Sequence, residues 1–441
     1  MRLTSPAPAL TATLSLTLLA ACSAPSGQPD GSVASTCTAP TGAGTSHEGT
    51  LSGSETWTAA ASPHLVTFDL GVPTGATLTI EPCAVVQVKP GYSIVVEGHL
   101  VAAGTASQPI DLGPSDATQP WAYLQVIAPG TVTLAYATIH GGGGQTVNNA
   151  NGMLEARGDQ SLVAQEILKV DHVTVSGSGT YGVSLRGSGA FTHDSQALTV
   201  TGSAHEALRI LPRLATNVPS GAYTGNTVDA IMVETESYGD VNLEDVTFHD
   251  RGVPYHVGGP TTFGQLNVGP NPYALTLEAG VKLAFSSEGW LETKSSSGST
   301  GALIAHGTAA RPVVFTSSAV APVAGSWRGL VLGSVPDSRN VLDHVEIRYA
   351  GAASGASSFH CEPVKGYSVN EDAALAIFHQ PQGELLTNSL IADSAALGVD
   401  LAYYGTAVDF LGGNQFVNVA SCKVSTPRQA DGSCPSTVSC P

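Results

Sequence analysis

Short apolar runs, separated by turn residues, recur along most of the chain. Between residues 78 and 112 the runs are LTI, VVQV, IVVE, HLV and PIDL, with Gly, Pro or Ser between them. Such runs are typical of short β-strands, and their spacing of roughly 7 to 10 residues places three in about 20 to 25 residues. Strands this short bury their side chains only when coils stack, so the pattern predicts a solenoid. A β-sandwich, the alternative, would need longer alternating strands.

The same pattern occurs twice. The offset between corresponding segments grows from 191 to 216 residues, so the turns have lengthened while the strands kept their order. We therefore predict a tandem duplication of about 200 residues. The corresponding segments are 56–57 with 247–248, 63–66 with 254–257, 78–82 with 275–279, Trp121 with Trp327, 135–140 with 343–348, and 181–185 with 397–401.

Two longer segments carry a family resemblance. Residues 72–112 and 274–318, the second followed by Trp327-Arg328-Gly329, resemble the first coils of right-handed parallel β-helix proteins with the pectin-lyase-like fold. The first copy departs from it with Trp121-Ala122-Tyr123, and Cys83 stands where a turn glycine is usual. The resemblance covers about residues 50–420 and implies an all-β, right-handed parallel β-helix of about 15 short coils. It implies no activity, because this fold hosts lyases, hydrolases, epimerases, adhesins and non-catalytic surface proteins.

Composition and charge narrow the class of protein. The chain has 50 Gly, 3 Met and only 12% charged residues, which favours an all-β chain with many turns over a helical enzyme. Removing residues 1–21 deletes one of 17 basic residues and none of the 35 acidic ones, which leaves a net charge of −19. A charge of this sign would repel nucleic acid and anionic lipid, so we expect no nucleic-acid partner.

The N-terminus has the pattern of an export signal. Arg2 precedes an apolar stretch at residues 9–21 that is too short to span a membrane permanently. It ends in Leu19-Ala20-Ala21-Cys22, which is similar to the lipobox of bacterial lipoproteins. The resemblance implies cleavage before Cys22 and lipidation of its thiol. Because Ser23 rather than Asp follows, it also implies a place at the outer membrane or cell surface, with the periplasm as alternative. An ordinary secretory signal is the competing interpretation.

These features divide the chain into five predicted parts. Residues 1–21 would be the signal peptide, and residues 22–48, rich in Ser, Gly, Pro and Thr, a flexible spacer. Residues 49–246 and 247–420 would be the two β-helix copies, and residues 421–441 a Cys-rich tail.

Cysteine usage suits an oxidising compartment. If Cys22 carries a lipid, six cysteines remain, and we predict that they form disulfides of undetermined connectivity. A zinc site at the last three is the alternative, but their spacings contain no CxxC motif. The six are Cys37, Cys83, Cys361, Cys422, Cys434 and Cys440.

Candidate catalytic groups are present without a complete signature. Asp171-His172 and Asp343-His344 resemble the Asp-His pair of pectate lyases, in which a nearby Arg (here Arg186, Arg209 or Arg348) would act as base. An Asp that caps a turn before a strand is the favoured interpretation. Carboxylate pairs for glycoside hydrolysis also lack the usual motifs, so no catalytic residue is predicted. The carboxylates considered are Asp194, Glu206, Glu371, Asp372, Asp393, Asp400 and Asp409.

Two groups of residues are candidates for ligand binding. Glu234, Glu236 and Asp240 lie in an acidic run between residues 229 and 250 and would hold Ca²⁺, although a solvated charged surface is the alternative. No other cofactor is expected. Tyr403 and Tyr404 would stack on sugar rings if they are exposed along the side of the solenoid.

These observations lead to one functional expectation and two alternatives. We expect a lipid-anchored cell-envelope β-helix, non-catalytic, that binds a polysaccharide or a surface protein along its flank and so serves in surface binding or adhesion. A polysaccharide lyase or glycoside hydrolase of the same fold is the first alternative, and a structural component of an envelope complex is the second.

Overall fold

The short apolar runs form β-strands in the computed structural model. It describes residues 34–144, 152–159, 163–235, 241, 244–259, 264–296, 298–354, 357–358, 360–361, 369–370 and 372–441. In a typical run, Leu78 and Ile80 are buried while Thr77 and Thr79 between them are half-buried. This alternation places every second side chain of a strand in the core.

The strands are short throughout, and helices are few. Two 3-10 helices span Ala59–Ala61 and Pro212–Asn217. The strands of the first half are β1 (Thr45–Thr50), β2 (Glu55–Trp57), β3 (His64–Val72), β4 (Thr77–Ile80), β5 (Val85–Val88), β6 (Ile94–Val96), β7 (His99–Ala103), β8 (Ile110–Pro114), β9 (Leu124–Ile127), β10 (Thr131–His140), β11 (Gly152–Arg157), β12 (Gln165–Ser176), β13 (Tyr181–Arg186), β14 (Gly189–Phe191), β15 (Gln196–Thr201), β16 (Glu206–Ile210), β17 (Gly221–Ala222) and β18 (Val228–Val233).

The second half continues in the same way. Its strands are β19 (Val246–Phe248), β20 (Tyr255–Val257), β21 (Gln265–Val268), β22 (Ala274–Leu277), β23 (Lys282–Phe285), β24 (Trp290–Thr293), β25 (Ser295–Ser296), β26 (Ser299–Thr300), β27 (Ala302–His306), β28 (Val313–Ser317), β29 (Gly329–Leu332), β30 (Val341–Asp343), β31 (Val345–Arg348), β32 (Ser357–Ser358), β33 (Val369–Asn370), β34 (Ala373–Ile377), β35 (Leu386–Thr387), β36 (Leu390–Ser394), β37 (Leu397–Leu401) and β38 (Gln415–Val419).

Strands pair in parallel with strands that lie about one predicted coil further along the chain. β4 pairs with β7, β5 with β8 and β6 with β9, so every third strand returns to the same sheet. Only β25–β26 and β32–β33, among the named strands, pair antiparallel. The protein is therefore all-β with long parallel sheets, an arrangement consistent with the predicted parallel β-helix.

The strand pairs of the first half recur in the second half in the same order. The pairs β2–β4, β3–β5, β4–β7, β5–β8, β6–β9, β9–β11 and β11–β13 correspond to β19–β22, β20–β23, β22–β27, β23–β28, β24–β29, β29–β34 and β34–β37. The segments that correspond in sequence therefore occupy corresponding places in the sheets.

Individual hydrogen bonds recur as well. Each involves a buried aromatic ring that bonds to a backbone carbonyl at the matching position of its own half. The pairs are His64 with Thr58 (3.0 Å) and Tyr255 with His249 (2.8 Å), and Trp121 with His140 (2.8 Å) and Trp327 with Arg348 (2.7 Å). These rings anchor the turns in both halves, which explains why aromatic residues recur at these positions.

The two halves share one hydrogen-bonded sheet. β18 of the first half pairs in parallel with β20 of the second, and β20 pairs with β23. The predicted boundary at residues 246–247 is therefore crossed by continuous strand pairing, and residues 35–441 form one compact unit.

Three disulfides join the six cysteines. They are Cys37–Cys83, Cys361–Cys434 and Cys422–Cys440. The prediction that these cysteines form disulfides agrees with the structure, and the three C-terminal cysteines are not available as zinc ligands. Cys83 has the left-handed φ of 66° that a turn glycine would adopt, so it occupies the turn and also carries the cross-link.

No helix in the described part of the chain is long and apolar enough to cross a membrane. The predicted signal peptide, Cys22 and residues 23–33 of the predicted spacer lie outside the described residues.

Candidate functional site

A groove lies on the second half, on the sheet of β21, β24, β29, β34 and β37. In register across this sheet, Glu292 pairs with Val331, Val331 with Ala376, and Ala376 with Asp400. Val331 is half-buried between the buried Leu330 and Leu332, and its partner Ala376 is 1% exposed. Val331 and Ala376 form the floor of the groove, whose volume is about 460 Å³.

Gly329 lets two strands approach closely beneath this floor. Its φ of +134° is a conformation that L side chains rarely adopt. A Cβ atom there would lie 2.4 Å from the carbonyl oxygen of Ala373 and 2.8 Å from that of Ala374, both in β34. Only glycine fits at this position, and its missing side chain leaves the end of the groove open.

The Trp327-Arg328-Gly329 motif divides its side chains between the core and the groove. Trp327 is fully buried and stacks on Phe285 with ring centroids 4.6 Å apart. The next residue, Arg328, therefore points outward and lines the groove. One three-residue motif thus anchors β29 from inside and supplies one wall and part of the floor.

Arg328 and Trp290 form this wall together. The guanidinium carbon of Arg328 lies 4.7 Å from the centroid of the Trp290 ring, within the range of a cation–π interaction. Glu288 accepts hydrogen bonds from Nη2 (2.7 Å) and Nε (3.3 Å) of Arg328. Glu288 itself has a left-handed φ of 64°, which costs about 1 to 2 kcal/mol for a non-glycine residue. The wall is therefore fixed before any ligand arrives.

A second ion pair lies beside the floor. Lys294 donates a hydrogen bond to Glu292, and Nε1 of Trp290 donates to the same carboxylate at 3.3 Å. Lys294 and Arg328, the cations that line the groove in the described part of the chain, are thus held by carboxylates.

The opposite end of the groove is polar and aromatic. The hydroxyl oxygens of Ser295 and Ser334 lie 3.3 Å apart, and Phe378 follows β34 with a half-buried side chain. The groove thus runs along the strand direction, from Trp290 to Phe378, over a floor of small apolar residues.

The corresponding positions of the first half carry larger side chains. There Tyr123 stands in the place of Gly329, Gln125 in that of Val331, and Glu155 in that of Ala376, as sequence and strand pairing both show. Gln125 donates a 2.7 Å hydrogen bond to Glu155, and both side chains are buried, as Ala376 is in the second half. The groove thus lies where the second half carries smaller residues than the first.

Next to Ala376 in register, on β37, lies the buried carboxylate of Asp400. Asp400 is fully buried, and its Oδ1 accepts hydrogen bonds from His360 (2.8 Å) and from Ser425 (3.1 Å). The C-terminal tail covers this end, because Val424 bridges to Val399 and Cys361 is bonded to Cys434.

Of the three predicted calcium ligands, the structure describes one. Glu234 accepts a hydrogen bond from Arg209, so its carboxylate is engaged in an ion pair, while Glu236 and Asp240 lie outside the described residues. No group of three His, Cys, Asp or Glu residues suited to a metal ion occurs in the part that the structure describes.

Glu234 and Arg209 belong to a polar cluster on the first half. Glu206 there is 7% exposed and contacts His256 at 3.4 Å. Burial raises the pKa of Glu206, but the hydrogen bond from His256 and further contacts outweigh it and hold the pKa below its usual range. The cluster brings Glu206, Arg209 and Glu234 together and adds His256, which sequence reasoning did not single out. Glu234 is paired with Arg209 and Glu206 with the imidazole of His256, and the cluster joins successive strands of one sheet.

The two predicted stacking tyrosines differ. Tyr404 is 51% exposed, as a sugar-binding ring requires. Tyr403 is 3% exposed, and its hydroxyl donates to the carbonyl of Thr406, so the condition of exposure is not met and the prediction is wrong for this residue.

The two Asp-His dipeptides share an unusual backbone conformation. His172 and His344 both have left-handed backbones, with φ of 52° and 51°. Asp343 accepts hydrogen bonds from Thr387 (2.7 Å) and Asn388 (2.9 Å), which lie 44 and 45 residues further along the chain. Burial raises the pKa of Asp343, but these donors and His344 lower it to about 2. The structural interpretation of the dipeptide is therefore favoured.

The groove residues Trp290, Glu292, Lys294 and Phe378 were not predicted as a site. The signal available was the contrast between Trp121-Ala122-Tyr123 and Trp327-Arg328-Gly329, which marks the position where the two halves differ in size. No match was found when the chain was compared with family models, with curated proteins and with solved structures.

Proposed function

We propose that this chain is a lipid-anchored cell-envelope protein that binds glycans, without catalysis, in the groove between Trp290 and Phe378. In this proposal it is a right-handed parallel β-helix of about 15 coils, formed by tandem duplication. It is held at the outer membrane or cell surface by a lipid on Cys22.

The groove is the observation that carries the proposal. Its volume of about 460 Å³ falls within the range of roughly 300 to 1,000 Å³ typical of small-ligand sites. A protein partner would instead need about 800 Å² of matching surface on each side. Aromatic side chains at both ends and a polar rim suit a sugar, because a sugar ring has apolar faces and hydroxyl groups at its edge.

Binding without catalysis is supported by the state of the groove carboxylates. Glu288 is engaged by Arg328 and Glu292 by Lys294 and Trp290. A glycosidase needs two carboxyl groups that face the scissile bond and exchange protons with it. Carboxylates held in ion pairs are better suited to positioning the wall of a binding site.

The architecture is supported by the recurrent strand pairs, and the anchor by the N-terminal pattern. Matching pairs such as β4–β7 and β22–β27 favour the duplication. Three disulfides suit an exported protein. The residues Leu19 to Cys22 carry the lipidation proposal.

Affinity electrophoresis of the intact protein in gels containing dextran, laminarin, xylan or polygalacturonate tests the binding function. We expect retardation by at least one of these polysaccharides. Trp290→Ala and Phe378→Ala should each weaken it by about tenfold, equivalent to about 1.4 kcal/mol, because each removes an aromatic contact. Phe68→Ala is the matched control, since Phe68 is 57% exposed, stacks on Tyr92, and lies outside the groove.

A second variant closes the groove without removing its walls. Val331→Gln combined with Ala376→Gln places on the floor side chains like those that Gln125 and Glu155 carry in the first half, and should abolish retardation while leaving the fold intact. Absence of retardation for the unaltered protein would contradict the proposal. Loss of retardation in Tyr404→Ala but not in Trp290→Ala would move the site to Tyr404. Release of new reducing ends from any of the polysaccharides would contradict the absence of catalysis.

A further inference from the structure

We infer that the groove is built for neutral glycans and excludes acidic ones, because the two cations among its described residues, Arg328 and Lys294, are neutralised by neighbouring carboxylates. This inference rests on the proposed function and names the class of glycan that the same site accepts.

The first neutralised cation is Arg328. Its Nη2 and Nε both donate to the same oxygen of Glu288, at 2.7 and 3.3 Å, and its plane faces the ring of Trp290. A guanidinium used in this way has its charge balanced and its orientation fixed. The left-handed backbone of Glu288 indicates that the fold bears a conformational cost to place this carboxylate.

The second neutralised cation is Lys294, which donates to Glu292 within the same strand region. The Glu292 carboxylate also accepts from Trp290, so it is positioned from two sides. Among the residues that the structure describes, the groove lining together with Glu288 contributes two positive and two negative charges, which balance. A uronate carboxylate or a sulfate ester would gain no unpaired cation among them.

The side chains on the floor of the groove also favour a neutral glycan over an acidic one. Val331, Ala376 and Gly329 present no polar side-chain atom to a ligand. An anion placed on them would lose hydration without compensation, which is costly, whereas the carbon-bound face of a neutral sugar would not.

The charge of the whole chain acts in the same direction. With 35 acidic and 17 basic residues the protein carries a formal charge of −18, and a polyanionic glycan would be repelled before reaching the groove. Local and long-range electrostatics thus both favour an uncharged ligand.

The test compares neutral dextran, laminarin and xylan with acidic polygalacturonate and alginate, in affinity electrophoresis at low and high NaCl. We expect retardation by at least one neutral polysaccharide and by neither acidic one. The apparent affinity should change by less than about twofold with salt, because no net charge is paired across the interface.

A charge-release variant makes the test sharper. Glu288→Gln combined with Glu292→Gln frees Arg328 and Lys294, and we expect the altered protein to gain binding to polygalacturonate that high salt removes. Asp337→Asn combined with Glu346→Gln is the matched control. It changes the net charge equally and frees Arg339 and Arg348, which do not line the groove, so it should gain no such binding.

The outcomes separate the inference from the proposed function. Salt-sensitive binding of acidic polysaccharide by the unaltered protein, lost in Trp290→Ala, would overturn neutral selectivity and leave glycan binding in place. Equal gain of acidic binding in both double variants would show that overall charge, not the groove, excludes acidic glycans, and would also overturn the inference. Retardation by none of the five polysaccharides would contradict the proposed function itself.

Discussion

Three glycines differ in backbone conformation and in surroundings. Replacing each with alanine tests whether the close approach of β29 to β34 at Gly329 requires glycine. Gly53 has no positive φ and no neighbour within 4 Å of the place where a Cβ atom would lie, and Gly75 has a φ of +84° with the same open space. Gly329 combines a φ of +134° with backbone oxygens at 2.4 and 2.8 Å. Alanine at Gly53 therefore adds neither strain nor a clash, and alanine at Gly75 adds backbone strain alone. Alanine at Gly329 adds backbone strain together with a steric clash.

The magnitudes follow from these differences. Gly53→Ala should be neutral or stabilise by up to about 1 kcal/mol, because it restricts only the unfolded chain. Gly75→Ala should cost about 1 to 2 kcal/mol for the left-handed backbone. Gly329→Ala should cost about 3 to 5 kcal/mol, because a strain of about 1 to 3 kcal/mol is joined by an overpacking cost of similar size when β29 moves away from β34.

Urea denaturation followed by tryptophan fluorescence measures all three, since Trp327 and Trp290 lie next to Gly329 and report on this sheet. The urea concentration at the unfolding midpoint should be highest for Gly53→Ala, lower for Gly75→Ala and lowest for Gly329→Ala. A free energy of unfolding for Gly329→Ala no lower than that for Gly75→Ala would refute the reasoning. It would mean that the strands separate at little cost and that the groove is not fixed by the glycine.

Two further predictions concern the Asp343 carboxylate and the proposed lipid on Cys22. Asp343 has a pKa of about 2 in the folded protein, below its ordinary 3.8, so its stabilising effect is present above about pH 4 and is lost as the pH falls towards 2. In urea titrations at several pH values the stability difference between the protein and Asp343→Asn should therefore shrink below pH 4, and a constant difference would contradict the assignment. Cys22→Ser should abolish incorporation of labelled palmitate and release the protein from the membrane fraction. Labelling that survives the substitution would show that the lipid is elsewhere.

The strand pattern was predictable from sequence because it depends on local alternation. The LTI run at residues 78–80 places Leu78 and Ile80 inside whatever its partners are, and the Gly, Pro and Ser turns limit where a strand ends. The recurrence of the pattern in the second half was predictable for the same reason, since buried aromatic residues such as Trp121 and Trp327 make the same hydrogen bond in both halves.

The cysteine pairing and the exposure of single side chains were not predictable in this way. Cys361 is bonded to Cys434, 73 residues away, because the tail returns to the sheet of β37. Tyr403 and Tyr404 are adjacent in sequence, but the first is buried and the second is exposed. Which of two neighbours faces outward depends on the register of the strand before them, and one residue of shift exchanges them.

The groove shows most clearly what register adds to sequence. Val331 and Ala376 are far apart along the chain, and only the pairing of β29 with β34 makes them neighbours on one floor. In the first half the equivalent positions are occupied by Gln125 and Glu155, and Gln125 donates a hydrogen bond to Glu155. The two halves thus differ in the size of the side chains at corresponding positions of paired strands. A change of a few side-chain volumes accompanies the groove without a change in strand pairing, because the neighbouring residues, such as Leu124 and Leu330, are buried and apolar in both halves.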